Sequence, residues 1–252
     1  MLTLRSNPRL RGVVLAEMLM ASFITGLLFT VLPGFYFAYL KVWSRESSRM
    51  AGLERADIVL QRMEKEVRNA RSLTLSSSGD ALTILLPRQH YDASVGRPVN
   101  DVDDLGRLVD GDRVYYYYVT DPHGTGGNEG GVLRRVQRAD GTALTPKLIA
   151  DQIHPQLNPL ATGTSTPRPV FAYNAALRTV AVTVAAAESK PSRGNFAPTR
   201  QAPRCSRDGG SLIRVATTQH PEGEIRCSRC GTRVQPNVEI VTHQTQLLVR
   251  NK

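Results

Sequence analysis

The chain has 252 residues and a composition that is ordinary for a folded protein, with 41% hydrophobic and 21% charged residues. This length is enough to bury a core in one or two domains, and the composition excludes a chain that is disordered throughout. The formal net charge of +10 favours either a solvated basic surface or an anionic partner such as nucleic acid or lipid.

The first forty residues combine a short basic leader with a long apolar run. Arg5, Arg9 and Arg11 lie in the leader, and the run extends from Val13 to Leu40. A membrane-spanning helix needs about 20 apolar residues, whereas the apolar part of a cleaved secretory signal, the rival interpretation, usually has about 7–15. The run therefore predicts one membrane-spanning helix. The basic leader predicts a cytoplasmic N-terminus, with the C-terminal domain on the extracytoplasmic side.

Glu17 is the only charged residue in this apolar run. A carboxylate in hydrocarbon costs about 2.5 kcal/mol or more, so it requires a partner. A cut after Gly12 creates a positive α-amino group on Val13, which the same helix can hardly bring to Glu17 but which a neighbouring, axially shifted subunit can. The sequence thus indicates assembly. The alternative is a plain membrane anchor with an accidental glutamate.

The segment RGVVLAEML at residues 11–19 resembles the processing signal of type IV pilins and pseudopilins. The resemblance implies that prepilin peptidase cuts after Gly12, that Val13 becomes the N-methylated first residue, and that Glu17 is the assembly glutamate. Val13 stands where the family usually has phenylalanine. Residues 1–12 are then the cleaved leader, and residues 13–40 are the transmembrane and assembly helix.

Three further segments are similar to this family. Pro33, followed by Gly34, lies where the family commonly has a helix-kinking proline. The stretch Gln61–Leu73 is similar to the helix end of large minor pseudopilins, the J-type subunits of type II secretion and the W-type minor pilins. The ending LLVRN, Leu247–Asn251, is also similar to that group.

This resemblance implies a structural subunit rather than an enzyme. Its partners are prepilin peptidase, other pilins or pseudopilins, and an inner-membrane assembly platform. It assembles into a type II secretion pseudopilus or a type IV pilus, at the tip or in initiation, and it resides in the cytoplasmic (inner) membrane before assembly. The alternative is a DNA-binding minor pilin of a DNA-uptake system, which the positive charge favours.

The sequence predicts an α+β fold in which the long helix packs on an antiparallel β-sheet. Residues 41–73 continue the helix beyond the membrane, with charged residues including Glu66 on its other faces. The apolar stripe recurs at three- and four-residue steps: Leu53, Ala56, Leu60, Met63, Val67 and Ala70. This periodicity predicts one buried face against the sheet.

The pilin-like sheet domain is expected in residues 74–187 and 237–252. Its predicted strands are Ala81–Leu86, Arg113–Thr120, Gly131–Arg138, Val170–Tyr173, Leu177–Ala185 and Val238–Val249. The tyrosine run Tyr115–Tyr118 is typical of a strand with one buried face. The alternative for this run is a stacking platform for single-stranded nucleic acid.

Residues 188–236, termed the cysteine insert, interrupt this domain with a proline-rich loop and two near-identical motifs. The first is Cys205-Ser-Arg-Asp208-Gly, and the second is Cys227-Ser-Arg-Cys230-Gly. Their separation matches a zinc ribbon with one cysteine replaced, and zinc accepts carboxylate as well as thiolate ligands. Asp208 is the expected fourth ligand, with His220 as the alternative.

A structural zinc site is therefore predicted in the cysteine insert, with Ser211–Thr217 and Glu224–Arg226 as short strands. Two alternatives stay open. One is a disulfide between two of the three cysteines, which leaves the third free. The other is a redox pair formed by Cys227 and Cys230.

No arrangement typical of catalysis is found in the sequence. There is no nucleophile elbow, phosphate loop or paired-carboxylate motif, so a non-enzymatic function is predicted. The run Asn100-Asp-Val-Asp-Asp104 is compatible with a calcium loop or with a solvated acidic loop, and it lacks the glycine and glutamate of an EF-hand.

Overall fold

The computed structural model describes residues 8–124, 130–189, 203–205, 207–233 and 238–248, without the side chains of residues 8–14, 188–189 and 238–239. Residues 1–7 of the predicted leader and residues 190–202 of the predicted proline-rich loop lie outside the described residues. The chain divides into two compact units, Met1–Glu46 and Ser47–Lys252.

One long helix, α1, runs from Pro8 to Arg68 and has Pro33 inside it. The prediction that the helix continues to Leu73 is wrong, because Ser72–Leu75 forms a strand instead. The amide of Arg71 already donates to the carbonyl of Leu85 (2.8 Å). Pairing with the neighbouring strand thus outweighs helix propensity at this point.

Twelve strands follow the helix in the described part of the chain. They are β1 Ser72–Leu75, β2 Ala81–Pro87, β3 Gln89–Asp92, β4 Arg97–Asn100, β5 Asp110–Val119, β6 Gly131–Gln137, β7 Lys147–Asp151, β8 Phe171–Asn174, β9 Thr179–Ser189, β10 Leu212–Val215, β11 Glu224–Cys227 and β12 Val238–Leu248. A short 3₁₀ helix, Pro155–Leu157, lies between β7 and β8. The predicted strands are present, whereas β1, β3, β4 and β7 were not predicted.

The α+β prediction is confirmed, but the strands form separate antiparallel sheets rather than one. The first sheet has the order β1-β2-β5-β6-β7 and the second has the order β12-β9-β8, while β3-β4 and β10-β11 are two-stranded hairpins. A bridge between Ile153 and Ala186 connects the segment after β7 to β9. Both larger sheets thus contribute side chains to the same hydrophobic interior.

Leu53 of the predicted helix stripe is only half-buried, whereas the other five predicted residues belong to the larger hydrophobic cluster, termed the main core. Its twenty buried members come from α1, both larger sheets and their connections: Ala56, Val59, Leu60, Met63, Val67, Ala70, Leu82, Ile84, Val114, Tyr116, Val132, Ala150, Ile153, Val170, Phe171, Val180, Val182, Val184, Ala186 and Leu247. Tyr116 is fully buried, so the tyrosine run is a strand with one face in the core, as the sequence predicts.

Glu66 departs from its predicted place on the outer, polar face of the helix. Its carboxylate accepts hydrogen bonds from the Tyr116 hydroxyl (2.8 Å) and from Nη2 of Arg134 (2.6 Å). Tyr116 and Arg134 are paired across β5 and β6. The three side chains therefore form a largely buried polar link between the helix and the sheet.

The cysteine insert leaves and re-enters the fold at one place. β9 and β12 pair antiparallel along eleven residues, and this register sets Ser189 opposite Val238. The chain between these two residues therefore connects the end of β9 to the start of its neighbour β12.

Candidate functional site

The residues predicted to direct processing and assembly all lie on α1. Gly12 and Val13 fall within its backbone, and their side chains are outside the description. Glu17 is exposed, and no hydrogen bond or ion pair to its carboxylate occurs among the described residues. The described side chains of residues 15–40 are all exposed, including Phe23 at 70% and Phe29 at 75%. The helix is long and apolar enough to cross a membrane.

Three hydroxyl groups in this apolar segment are satisfied within the helix itself. Ser22 donates to the Met18 carbonyl (2.8 Å) and Thr25 donates to the Ala21 carbonyl (2.7 Å). Thr30 donates to the Leu27 carbonyl (2.8 Å). In hydrocarbon such groups need a protein partner because water is absent. Glu17 is the only carboxylate of the run, and no hydrogen bond to it occurs among the described residues.

The second candidate site joins the two cysteine motifs. Cys205, Asp208, Cys227 and Cys230 each offer a ligand atom, and these atoms lie within 4.8 Å of one another. The Cys205 and Cys230 sulfurs are 4.0 Å apart. The Cys227 thiol donates to Oδ1 of Asp208 (3.1 Å). Within the described ranges, this is the one group of three or more cysteine, histidine or acidic residues close enough to hold a metal ion.

Both motifs turn through a glycine in the left-handed region, where a side chain is strained. Gly209 has φ +69° and Gly231 has φ +67°. The turns are closed by matching backbone bonds, from the Gly209 amide to the Cys205 carbonyl (2.9 Å) and from the Gly231 amide to the Cys227 carbonyl (3.0 Å). The repeated sequence therefore builds two similar turns that aim their ligands at one point.

Contacts favour the ionised, metal-binding forms of Asp208 and Cys230 but not that of Cys227. The Gly210 amide donates to Asp208 Oδ1 (2.9 Å), and this bond, with that from the Cys227 thiol, holds the pKa of Asp208 well below its usual range. The hydroxyl and amide of Thr232 lower the pKa of the Cys230 thiol. The amides of Cys230 and Arg229 act to lower the pKa of the Cys227 thiol, but burial and the hydrogen bonds with Asp208 and Cys230 raise it to about 11. Carboxylate and thiolate are the forms that bind a metal.

The residues present fit a tetrahedral zinc ion. In a tetrahedral site with ligands about 2.0–2.3 Å from zinc, the ligand atoms lie about 3.5–3.8 Å from one another. The four ligand atoms here all lie within 4.8 Å of one another, so a small inward movement brings them to these distances. Three thiolates and one carboxylate fill all four positions, so such a metal supplies structural cross-linking rather than an open catalytic position. A residue larger than glycine at position 210 is excluded, because its Cβ would lie 2.6 Å from the Cys227 sulfur.

The metal ligands are tied to the sheet domain by a second, smaller hydrophobic cluster, termed the insert cluster. Its six buried members are Leu157, Ala185, Ala187, Cys205, Leu212 and Cys227. Arg214, on β10, donates from Nε (3.1 Å) and Nη2 (3.0 Å) to the Leu157 carbonyl and from Nη1 to the Gly223 carbonyl (3.3 Å). Partial burial lowers the pKa of Arg214. Sequence reasoning missed this residue.

Residues of two alternative metal sites, His220 and the acidic loop at residues 100–104, make contacts elsewhere. His220 lies outside the ligand group, and its Nδ1 is 3.4 Å from Oε1 of Glu222. Asp103 accepts the amides of Leu105 (3.0 Å) and Arg107 (2.7 Å). Asp101 forms ion pairs with Arg88 and His90. These contacts favour Asp208 as the fourth ligand, and they occupy two acids of the predicted acidic loop.

No protein-family model, curated protein or solved structure matches this chain.

Proposed function

We propose that the chain is a minor subunit of a type IV pilin-like filament, a pseudopilus of type II secretion or a type IV pilus. Prepilin peptidase cuts it after Gly12, and the mature subunit waits in the cytoplasmic membrane through residues 13–40. The apolar helix then moves into the filament core, with the sheet domain at the surface or the tip.

The observation that carries this proposal is the contrast within α1. Its first part exposes apolar side chains along its described length, whereas its second part places Met63 and Val67 in the main core. A helix with an uncovered apolar part and a covered part is suited first to lipid and then to packing against copies of itself. Glu17 supports assembly in particular, since a carboxylate in an apolar surrounding requires a counter-charge.

The test is the substitution Glu17→Ala. The precursor should still insert and be cut after Gly12, because the charge lies beyond the cut. Incorporation into filaments should fall more than about tenfold, since the α-amino group of the neighbouring subunit is left without its counter-charge in an apolar surrounding, at a cost of about 3–5 kcal/mol. Filaments are sheared, and the subunit is quantified in the sheared and membrane fractions.

A matched control is Glu46→Ala, which removes an exposed acid from the same helix beyond the apolar run. This variant should assemble normally. Mass spectrometry of assembled native subunit should give a chain that begins at methylated Val13. A chain that begins at Met1, or normal incorporation of Glu17→Ala, would falsify the proposal.

For the cysteine insert, we propose a structural zinc ion held by Cys205, Asp208, Cys227 and Cys230. The support is the convergence of these four groups and the absence of an open position among them. Metal analysis of the purified chain should find one zinc ion per chain. The variant Cys230→Ser should lower this content, and an unchanged content would contradict the assignment.

A second candidate function is DNA binding during uptake. Arg207 and Arg229 occupy equivalent positions in the two cysteine motifs, and both are exposed. Arginines that contact phosphates give binding that weakens steeply as salt rises. A gel shift with the detergent-solubilised chain tests this function, with Arg207→Ala and Arg229→Ala as variants. Absence of a shift at low salt removes the candidate.

A further inference from the structure

All three sulfurs lie within 4.8 Å of one another, and two of them are in direct contact while the third is hydrogen-bonded to Asp208. The Cys205 and Cys230 sulfurs are 4.0 Å apart, and Cys230 is exposed whereas Cys205 and Cys227 are buried. The remaining sulfur, that of Cys227, faces Asp208 and accepts the amides of Arg229 (3.4 Å) and Cys230 (3.5 Å). One exposed and one buried sulfur thus form the pair that is free to close.

We propose that Cys205 and Cys230 form a disulfide when the site holds no metal ion, so that metal binding and disulfide formation are mutually exclusive states of one site. This inference rests on the proposed metal centre and is independent of filament assembly. A disulfide needs its sulfurs about 2.0 Å apart, and the 4.0 Å gap is closed by a small movement of the turn that carries exposed Cys230. A bound metal removes both thiolates from reaction.

The reaction requires an oxidant, which is a small-molecule disulfide such as oxidised glutathione. The Cys230 thiolate attacks one sulfur of the oxidant, the S–S bond of the oxidant breaks, and the first glutathione thiolate leaves. The Cys205 thiolate then attacks the Cys230 sulfur of the mixed disulfide and releases the second glutathione thiolate. The two protein thiols lose two protons and two electrons, and both glutathione molecules leave as thiols.

The experiment uses the full chain in detergent, either stripped with EDTA or saturated with Zn²⁺. Both samples are treated with oxidised glutathione, blocked with N-ethylmaleimide and digested without reductant. Trypsin releases the same tripeptide, CSR, from around Cys205 and Cys227, so it cannot assign the link. Cleavage after glutamate instead places Cys205 in Ser189–Glu222 and the other two cysteines in Ile225–Glu239.

In the stripped chain we expect a link between these two peptides, at least tenfold more abundant than in the zinc-saturated chain. The link should persist in Cys227→Ser and disappear in Cys230→Ser, which identifies the partner of Cys205. A link inside Ile225–Glu239, a link that survives Cys230→Ser, or no link at all would overturn the proposal.

Zinc content measured on the same samples separates two failures. If zinc is bound and cross-linking continues undiminished, mutual exclusion is wrong although the metal centre stands. If no zinc is bound, the metal centre is wrong, and the proposed exclusion falls with it. Neither result bears on the cut after Gly12 or on Glu17.

Discussion

The main core and the insert cluster are stabilised in different ways. The main core has twenty buried hydrophobic members from the helix and both larger sheets. The insert cluster has six, and two of these are the candidate metal ligands Cys205 and Cys227. Since burial contributes roughly in proportion to apolar area, the first cluster can sustain its fold alone, and the second requires further cross-links. The proposed metal centre and Arg214 would supply these cross-links in the region where hydrophobic contact is scarce.

The largest effect should come from removing the metal. Structural zinc contributes about 10 kcal/mol or more of apparent folding free energy in small zinc domains. EDTA, in the presence of reductant so that no disulfide replaces the metal, should therefore greatly lower hydrogen-exchange protection of amides in residues 207–233, while amides of β5 and β9 remain protected. The change is reversed by Zn²⁺. Equal protection of both regions after chelation would contradict the comparison, because the insert would then be stable by packing alone.

The next largest effect should come from the polar link in the main core. Glu66→Ala leaves Arg134 partly buried without its counter-charge, and loss of one partner of a buried pair costs about 3–5 kcal/mol. Urea denaturation of the detergent-solubilised chain measures this loss. The control is Glu64→Ala, whose ion pair with Arg68 is exposed and is worth less than about 1 kcal/mol. Similar losses in both variants would show that the link is not important for stability.

The stability contributed by the segment that joins the two clusters should depend on pH. His154 lies between Ile153 of the main core and Leu157 of the insert cluster, and burial lowers its pKa from 6.5 to about 4. The unfolded chain therefore binds more protons between these values, so the stability contribution is complete above pH 6.5 and is lost as the pH falls to 4.

This loss amounts to about 3 kcal/mol, and His154→Leu should remove it from the pH profile. Denaturation of both chains between pH 4 and 7 with zinc present measures the difference from the parent chain, because the pH dependence of metal binding is common to both chains and cancels. His123→Leu, at an exposed histidine, should keep the parent profile. A parent-like slope in His154→Leu would show that this imidazole is not the responsible group.

The smallest effect should come from Arg214. Arg214→Ala removes the hydrogen bonds to the Leu157 and Gly223 carbonyls, and bonds to a charged group contribute about 1.5–3 kcal/mol. The loss should appear as faster hydrogen exchange in residues 207–233 with zinc present. Arg207→Ala, at an exposed arginine, should change the exchange little. An unchanged exchange rate in Arg214→Ala would show that Arg214 does not stabilise the insert.

Periodicity and spacing predict the strongest local patterns of this chain. The apolar stripe of α1, the tyrosine strand and the ligand group were all predicted, because each is encoded within a short segment. Strands β1, β3, β4 and β7 were not predicted, although the equally short β8, β10 and β11 were. Length alone therefore does not explain the misses, and the missed strands depend on partners that their own residues do not encode. The end of α1 at Arg68 was missed for the same reason.

The role of Glu66 had a signal in the sequence that was not used. Val132, Arg134 and Val136 alternate along β6, so Arg134 shares the face of buried Val132. An arginine on an inward face requires a carboxylate, and Glu66 supplies it from the helix. Arg214 had no comparable signal, because its acceptors are backbone carbonyls at distant positions.

The pairing of Ser189 with Val238 has a consequence for how this protein can vary. Antiparallel neighbours are about 5 Å apart, a gap that a two-residue hairpin turn spans. Replacement of the insert by a tight turn should therefore leave the β9–β12 ladder intact. The surface uncovered by such an excision includes Leu157, Ala185 and Ala187, which are buried against the insert.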